Sequence, residues 1–513
     1  MVLLKKNIAA NFVGKFWGAL MSVVFVPVYI KFLGIEAYGL VGFYTSLSVL
    51  FSLFDMVLST TINREMAGLS ALPNKEQEML DTVRTFEVLY WFIGIIIGII
   101  VIALSPYIAN FWIKTKGLPV NIVQQSVIIM GLIIAIQWPT NLYVGALRGL
   151  QMQVPLNIIT VSIATLRGIG AVLILRLVSP TIQAFFIWQI LISAAGTLLN
   201  LKFLWGYLPK TKIKPNFHWG LIIQKWRFAT EMTGIYLTGI ILMQLDKIII
   251  SKTMPLEMLG YYSLAGVVAS TLSYISGPIQ TALFPRFTQL ISSGDEVHLN
   301  SLYHKSCQLI SVLILPVAFI IILFSSEIIT LWTQDRLIAN KISLLVSTLI
   351  IGTALSGLLN LPGTLQLASG WTKLALYTNV VSVIILGPMV YYMITKYGLI
   401  GAAFCWVILN SGYFFIGIPI MHTRLLKREK WRWYFIDIGI PLVSSLFITA
   451  IWRVFTPPNL SIHLVLLFLF FALSSTFTAA VLVTPYTRTW ITSRVLRQWH
   501  NFLNKEKLKI STA

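Results

Sequence analysis

Apolar runs of about 18 residues or more recur from one end of this chain to the other, each long enough to cross about 30 Å of hydrocarbon. That repetition constrains the chain more than any other feature, because it names the bilayer as the solvent. Of its 513 residues 57% are hydrophobic and only 11% charged, where a soluble domain carries about 25% charged residues. The runs predict an all-α polytopic membrane protein with fourteen spans, the first at 8–32 and the last at 463–484. Many Trp and Tyr residues stand near the run ends, as in the aromatic belts of membrane proteins.

The formal charge of +21 would point to nucleic acid in a soluble protein, but here position matters more than sum. With the N-terminus in the cytoplasm, about 26 of the 38 Lys and Arg fall on the cytoplasmic side, among them Lys5, Lys6, Lys210, Lys212, Lys214 and the cluster from Arg424 to Arg432. This positive-inside bias predicts that both termini are cytoplasmic and that nucleic acid is not a partner. Lys5 and Lys6 ahead of an apolar run resemble a signal peptide. The run is too long, however, and lacks a small-residue cleavage site, so it is expected to stay as the first span.

No connection exceeds roughly 25 residues, which leaves no room for a soluble catalytic domain. The most polar connection, 206–220, carries Pro209, Pro215 and three lysines and separates two lobes, helices 1–6 at 1–205 and helices 7–12 at 221–423. Residues 424–513 hold helices 13 and 14 and a basic cytoplasmic tail. The lobes read as copies. Glu36-Ala-Tyr-Gly39 opens the second span and Glu257-Met-Leu-Gly260 the eighth, a shift of 221 positions that also takes Gly149 to Gly370 and Ser52 to Ser273. One constant offset at three places indicates a six-plus-six repeat in parallel orientation.

The chain has no G-x-x-x-x-G-K-S/T loop, H-E-x-x-H pair or C-x-x-C pair, so ATP hydrolysis is not expected, nor is a metal or other cofactor. The six histidines read as interfacial residues in loops or at span ends, and Cys307 and Cys405 as small buried hydrophobes rather than a disulfide. Ionisable residues inside spans carry more information, since each costs on the order of 3 kcal/mol at the bilayer centre unless it faces a cavity or a partner. They are Lys15, Asp55, Arg167, Glu231, Asp246 and Lys247.

Polar stripes accompany them at three-and-four spacing: Asn11, Lys15, Gly18 and Ser22 in the first span; Thr45, Ser48, Ser52, Asp55, Ser59 and Asn63 in the second. Asn157, Thr160, Ala164 and Arg167 share a side of span five, and Thr353, Ser356, Asn360 and Thr364 a side of span ten. Such stripes either line an aqueous cavity or pack as small-residue seams. Asp55 speaks for the cavity, since a seam has no use for a carboxylate. On span seven Glu231 and Asp246 point within about 60° of each other, while Lys247 points away from Glu231. Lys247 then snorkels toward the far interface or meets a carboxylate on another helix, and a structural salt bridge through Asp246 and Lys247 is the alternative. Pro27, Pro139, Pro278, Pro316, Pro362 and Pro388 fall inside spans, where proline can let a helix bend between states.

Several segments look familiar together: Pro27-Val-Tyr-Ile-Lys-Phe-Leu-Gly-Ile-Glu-Ala-Tyr-Gly39, Leu147-Arg-Gly-Leu-Gln151, Gln244-Leu-Asp-Lys-Ile-Ile-Ile250 followed by Gly260-Tyr-Tyr-Ser-Leu-Ala265, and Tyr397-Gly-Leu-Ile-Gly-Ala-Ala403. They resemble the polysaccharide-export family of Wzx-type O-antigen flippases, within the multidrug/oligosaccharidyl-lipid/polysaccharide exporter superfamily. The resemblance covers roughly residues 1 to 425. It implies a V-shaped, MATE-like bundle of two six-helix lobes that alternates between inward-open and outward-open forms. It also implies an undecaprenyl-pyrophosphate-linked oligosaccharide as cargo, residence in a bacterial inner membrane, action as a monomer, and other polysaccharide assembly proteins as candidate partners. The two extra C-terminal spans depart from the commonest family pattern; fourteen spans are similar to the lipid II flippase, whose arginine-rich motifs are missing here.

For such a cargo Lys15, Arg167 and Lys247 are the expected partners of the pyrophosphate, because charge pairing strengthens at low dielectric. Asn11, Ser52, Asn157 and Asn360 would solvate the sugars, and Asp55, Glu231 or Asp246 would couple the cycle to protons or sodium. A cation-coupled multidrug antiporter of the same fold is the alternative, and it would favour an electronegative aromatic pocket over buried Arg and Lys. A membrane glycan polymerase or ligase would need a long extracytoplasmic loop, and the loops here are short.

Overall fold

The computed structural model describes residues 2–457 and 462–489, without the side chains of 2–9, 12, 53, 54, 56, 57, 224–236 and 462. In chain order the helices are α1 (Val2–Val24), α2 (Val26–Leu33), α3 (Ile35–Ser70), α4 (Glu76–Tyr107), α5 (Val120–Gln137), α6 (Thr140–Gly149), α7 (Gln153–Leu177), α8 (Ile182–Tyr207) and α9 (Trp219–Thr253). There follow α10 (Leu256–Ser292), α11 (Glu296–Leu323), α12 (Ser325–Thr333), α13 (Arg336–Ala368), α14 (Thr372–Gly412), α15 (Ile418–Leu425), α16 (Lys430–Arg432), α17 (Ile440–Val454) and α18 (Ile462–Val483). Among the described residues the only β-type pairing is a single bridge between Lys114 and Pro255. An all-helical chain is what hydrocarbon demands, since a helix satisfies its backbone hydrogen bonds within one segment.

Among the described residues twelve stretches are long and apolar enough to cross a bilayer, so the protein is a multi-pass membrane protein. One of them, Thr372–Leu425, runs for 54 residues, more than twice the roughly 20 that a span needs. Gly398 interrupts it at φ 64, ψ −143, a conformation that only glycine adopts without strain. Helix α9, with 35 residues, is also long enough to cross. Dividing the long stretch at Gly398 and adding α9 accommodates the fourteen spans expected from the sequence. The prolines that break helices sit where the break is cheap: Pro27 lies in the first turn of α2 and Pro139 immediately precedes α6, positions that need no intrahelical N–H donor.

Over the described residues the chain divides into two compact units, one comprising Met1–Val268 and Ala375–Ala402, the other Ala269–Leu374 and Ala403–Ala513. In the first, α1 packs on α7, α4 on α5, and α5 and α7 on α8, while α3 lies against α6 and α9. In the second, α11 is the central element and packs on α13, α17 and α18. The outer faces of both carry large exposed apolar side chains, such as Phe92, Ile99 and Leu177 in the first and Val443, Phe447 and Phe470 in the second. In a membrane these face lipid, and exposure of this kind needs no protein partner.

One crossing inside the first unit gives the sequence repeat a physical meaning. The start of α3 meets the start of α10, and a Cβ on Gly39 would fall on the Leu256 carbonyl oxygen. One on Gly260 would fall on the Ile35 carbonyl oxygen, and one on Gly42 on the Ser263 hydroxyl. Ile35 with Leu256, Gly39 with Gly260 and Gly42 with Ser263 are each related by the same 221-position shift. Such reciprocity is what a two-fold relation produces: each helix presents its glycine to the equivalent backbone of the other. The two acidic partners of these motifs hold one loop between them. Glu36 accepts hydrogen bonds from the backbone N–H groups of Lys116 (2.6 Å) and Gly117 (3.0 Å), and Glu257 lies 3.8 Å from the Lys116 ammonium.

We predict that Gly260→Val lowers the unfolding temperature of the detergent-purified protein by several degrees, since overpacking of a tight site costs about 1–3 kcal/mol. Gly266→Ala, where a Cβ meets nothing within 4 Å, should leave it unchanged or raise it. Equal thermal shifts for the two variants would show that the crossing is not close-packed.

Candidate functional site

The stripe on α3 divides into two parts with different partners. Toward its start Thr45 and Ser52 turn their hydroxyls back on their own helix, to the carbonyls of Val41 (2.9 Å) and Val49 (2.6 Å). Further along, the buried Asp55 accepts a hydrogen bond from the Tyr90 hydroxyl of α4 at 2.7 Å, and Ser59 approaches the Asn141 carbonyl of α6 at 3.5 Å. Asp55 is therefore held between helices, where a single phenol donor leaves most of its acceptor capacity unused.

Asn11 and Asn157, predicted on separate stripes, come together between α1 and α7. The Asn157 amide donates to Asn11 Oδ1 at 2.7 Å, and the Asn11 amide donates to Gln153 Oε1. Lys15, one turn along α1, is exposed and has no partner among the described residues. Arg167 lies on α7 further toward its end. Its Nη2 reaches the Ser193 hydroxyl of α8 at 3.3 Å, and its Nε is buried with no hydrogen-bond partner among the described residues.

Asp246 on α9 accepts a hydrogen bond from the Tyr262 hydroxyl of α10. A salt bridge between Asp246 and a neighbouring cation is not what holds α9 here. The half-buried Lys247 has no carboxylate within ion-pair distance among the described residues. The side chain of Glu231 lies outside the described residues. In the second unit Asn360 donates to the Ser276 hydroxyl at 2.8 Å, while Thr353 and Thr364 bond back to the carbonyls of Leu349 and Asn360.

Two polar centres escaped the sequence reading. Glu87 on α4 is 4% exposed; it pairs with Arg84 at 2.7 Å and accepts from the Tyr143 hydroxyl (2.9 Å) and the Trp205 indole (3.2 Å). It lies two residues inside the third apolar run, which spans 85–110, so a check of every carboxylate against the span limits would have found it. The other centre corrects the view of the histidines as interfacial residues, because His304 and His422 are each 1% exposed. The ninth apolar run begins at Ser306, but α11 starts ten residues earlier at Glu296, which carries His304 into the packed interior. There its Nδ1 meets Asp437 and its Nε2 lies 2.9 Å from Glu429. His422 faces the Tyr303 hydroxyl at 3.3 Å. Cys307 and Cys405 are both buried, and neither is in a disulfide. Among the described residues no group of three His, Cys, Asp or Glu could hold a metal ion.

Ionisable groups held within membrane-crossing helices belong to a fold found in known exporters. The lipid II flippase MurJ, in an inward closed conformation, superposes with a TM-score of 0.66 at 15% identity, covering 92% of this chain and 97% of that one. A multidrug resistance transporter of the MATE family, inward-facing, superposes with a TM-score of 0.64 at 14% identity over 79% and 94% of the two chains. The architecture is thus that of the MATE and MurJ proteins. In sequence, a Shigella flexneri protein named "Putative O-antigen transporter" is 24% identical over 407 residues, 79% of this chain and 94% of that one. Residues 29–336 match the model of the polysaccharide biosynthesis protein family, and the chain belongs to that family.

Glu87→Leu should destabilise the protein by about 1–3 kcal/mol, because the buried Tyr143 and half-buried Trp205 donors lose their acceptor. Glu87→Gln, which keeps an acceptor oxygen, should recover most of that loss. Chemical unfolding followed by tryptophan fluorescence measures both, and identical midpoints for the two variants would exclude the hydrogen-bonding role.

Proposed function

We propose that this protein moves a lipid-linked oligosaccharide, anchored on undecaprenyl pyrophosphate, from the cytoplasmic to the outer leaflet of a bacterial inner membrane by alternating access. Family membership places its work in polysaccharide biosynthesis, and the relatives it matches are named as transporters or flippases rather than enzymes. No catalytic residue is assigned in this reading. The N- and C-termini are placed in the cytoplasm on the positive-inside bias.

Arg167 is the observation that carries the proposal. Its guanidinium sits in a membrane-crossing helix with one hydroxyl partner and a buried, unpartnered Nε. A buried charge left without a counter-ion is costly, and an arriving pyrophosphate would complete its hydrogen bonds in the forked geometry that arginine favours. Lys15 and Lys247 are the further cations for the head group. Asn11, Ser52, Asn157 and Asn360 would solvate the sugars by exchanging their present contacts for sugar hydroxyls. Asp55, Glu231 and Asp246 are the groups assigned to ion coupling, with the tyrosine partners of Asp55 and Asp246 released or tightened as protons or sodium bind. The glycine crossing of α3 and α10 is the contact that would part during the cycle. The lipid tail stays in the bilayer throughout.

A cation-coupled multidrug antiporter of the same fold is the second reading, favoured by the two carboxylate–tyrosine pairs. It gives Arg167 no role. In a strain lacking the gene, the wild-type chain should restore surface polysaccharide, and Arg167→Gln should restore about tenfold less or worse, with lipid-linked repeat units accumulating on the cytoplasmic leaflet. Arg167→Lys should be intermediate. Full export by Arg167→Gln would remove the basis of the proposal. Intact surface glycans in the deletion strain, together with sensitivity to cationic dyes, would establish the antiporter instead.

A further inference from the structure

At one end of the second unit, the start of α11, the residue Arg432 of α16 and the residues that follow α18 line an open cavity of about 500 Å³, a volume within the range of small-molecule sites. Its wall is built without a ligand. His304 bridges Asp437 and Glu429, and Gln308 donates to Asp437 Oδ1 at 2.9 Å while accepting from the Tyr486 backbone N–H at 2.9 Å. These bonds tie α11 to the residues just before α17 and just after α18, and a network with its polar atoms satisfied is rigid.

The cavity itself has donors in excess. Lys305 holds its ammonium 5.4 Å from the centroid of the Tyr486 ring and has no carboxylate partner among the described residues. Arg432 makes one approach to Glu429, at 3.7 Å. The side chains of Asn300 and Ser301 have no hydrogen-bond partner among the described residues. No carboxylate is among the lining residues, because Asp437 and Glu429 are turned to His304. Two cations, an amide and a hydroxyl therefore line a space that no carboxylate of the described residues lines.

The level of the cavity narrows its occupant. It lies where the membrane-crossing stretches Glu296–Leu323 and Lys430–Val454 begin, just past the end of His463–Val483, which is the depth of lipid headgroups in one leaflet. We propose that this cavity binds the phosphate group of an anionic headgroup, with Lys305 and Arg432 as charged partners and Asn300 and Ser301 as neutral donors. The two spans outside the six-plus-six repeat acquire a function by completing it. None of the residues assigned to the transported cargo lines the cavity, so this site stands or falls separately from the transport reading.

The full chain in phosphatidylcholine nanodiscs, with and without phosphatidylglycerol, provides the test. Native mass spectrometry should find phosphatidylglycerol retained by the wild type and by Lys305→Arg. Lys305→Gln/Arg432→Gln should retain about tenfold less or lower, the loss expected for removing charge-assisted hydrogen bonds. If the double variant does not fold, Ser301→Asp, which places a carboxylate in the cavity, should lose the lipid in the same way. Glycerol 3-phosphate separates the two sources of the phosphate: binding of this soluble ester without phosphatidylglycerol assigns the site to a free phosphate ester. Binding of neither probe, or equal retention by the wild type and the charge-removed variant, overturns the proposal.

Discussion

Every polar group that this chain carries into hydrocarbon has to find its partner inside the protein, because lipid offers no hydrogen bonds. That requirement accounts for most of the interior chemistry. Hydroxyls such as Thr45, Ser52 and Thr364 turn back on their own helices. Carboxylates reach across to a neighbour, Asp55 to Tyr90 and Glu87 to Tyr143 and Trp205. Ten buried side-chain atoms among the described residues depart from the rule, and Arg167 Nε is the one of them that belongs to a cation. A cost of that kind, uncompensated by the protein itself, is where a ligand is expected to bind.

The repeat works through the same economy of partners. Lipid tails are as apolar as leucine, so helices in a membrane associate by close packing and not by hydrophobic exclusion. Gly39 and Gly260 let two backbones approach until each carbonyl occupies the space of the other's missing side chain. The acidic residue three positions before each glycine then binds the loop around Lys116. A duplicated sequence thereby contacts its own copy, with the same residue types serving both sides.

In the C-terminal part, α17 and α18 are joined to α11 through polar atoms as well as packing. Asp437, Gln308, His304 and Tyr486 come from three separate parts of the chain. No window along the sequence contains more than His304 and Gln308, which share a helix face four residues apart. Placing both at the edge of a span, as hydropathy does, gives an interfacial reading. Only the longer α11 and the arrival of α17 and α18 turn these side chains into a buried network.

Hydropathy alone determined the helical membrane class, because span length and backbone satisfaction are local properties that the bilayer imposes on any chain, and motif spacing supplied the offset of the repeat. The ionisable positions Lys15, Asp55, Arg167, Asp246 and Lys247 were also legible, since charge stands out in an apolar run. What their neighbours do was not. A three-and-four polar spacing is the same whether a stripe faces water or another helix, so the joining of Asn11 to Asn157 and of Asn360 to Ser276 had to come from packing. Glu87 lay inside a span and was legible there, whereas His304 was hidden because α11 begins well before the apolar run does. The tertiary structure decided which polar groups are satisfied and which are left over, because that balance depends on different helices brought together, from 16 residues apart for Asp246 and Tyr262 to 146 for Asn11 and Asn157.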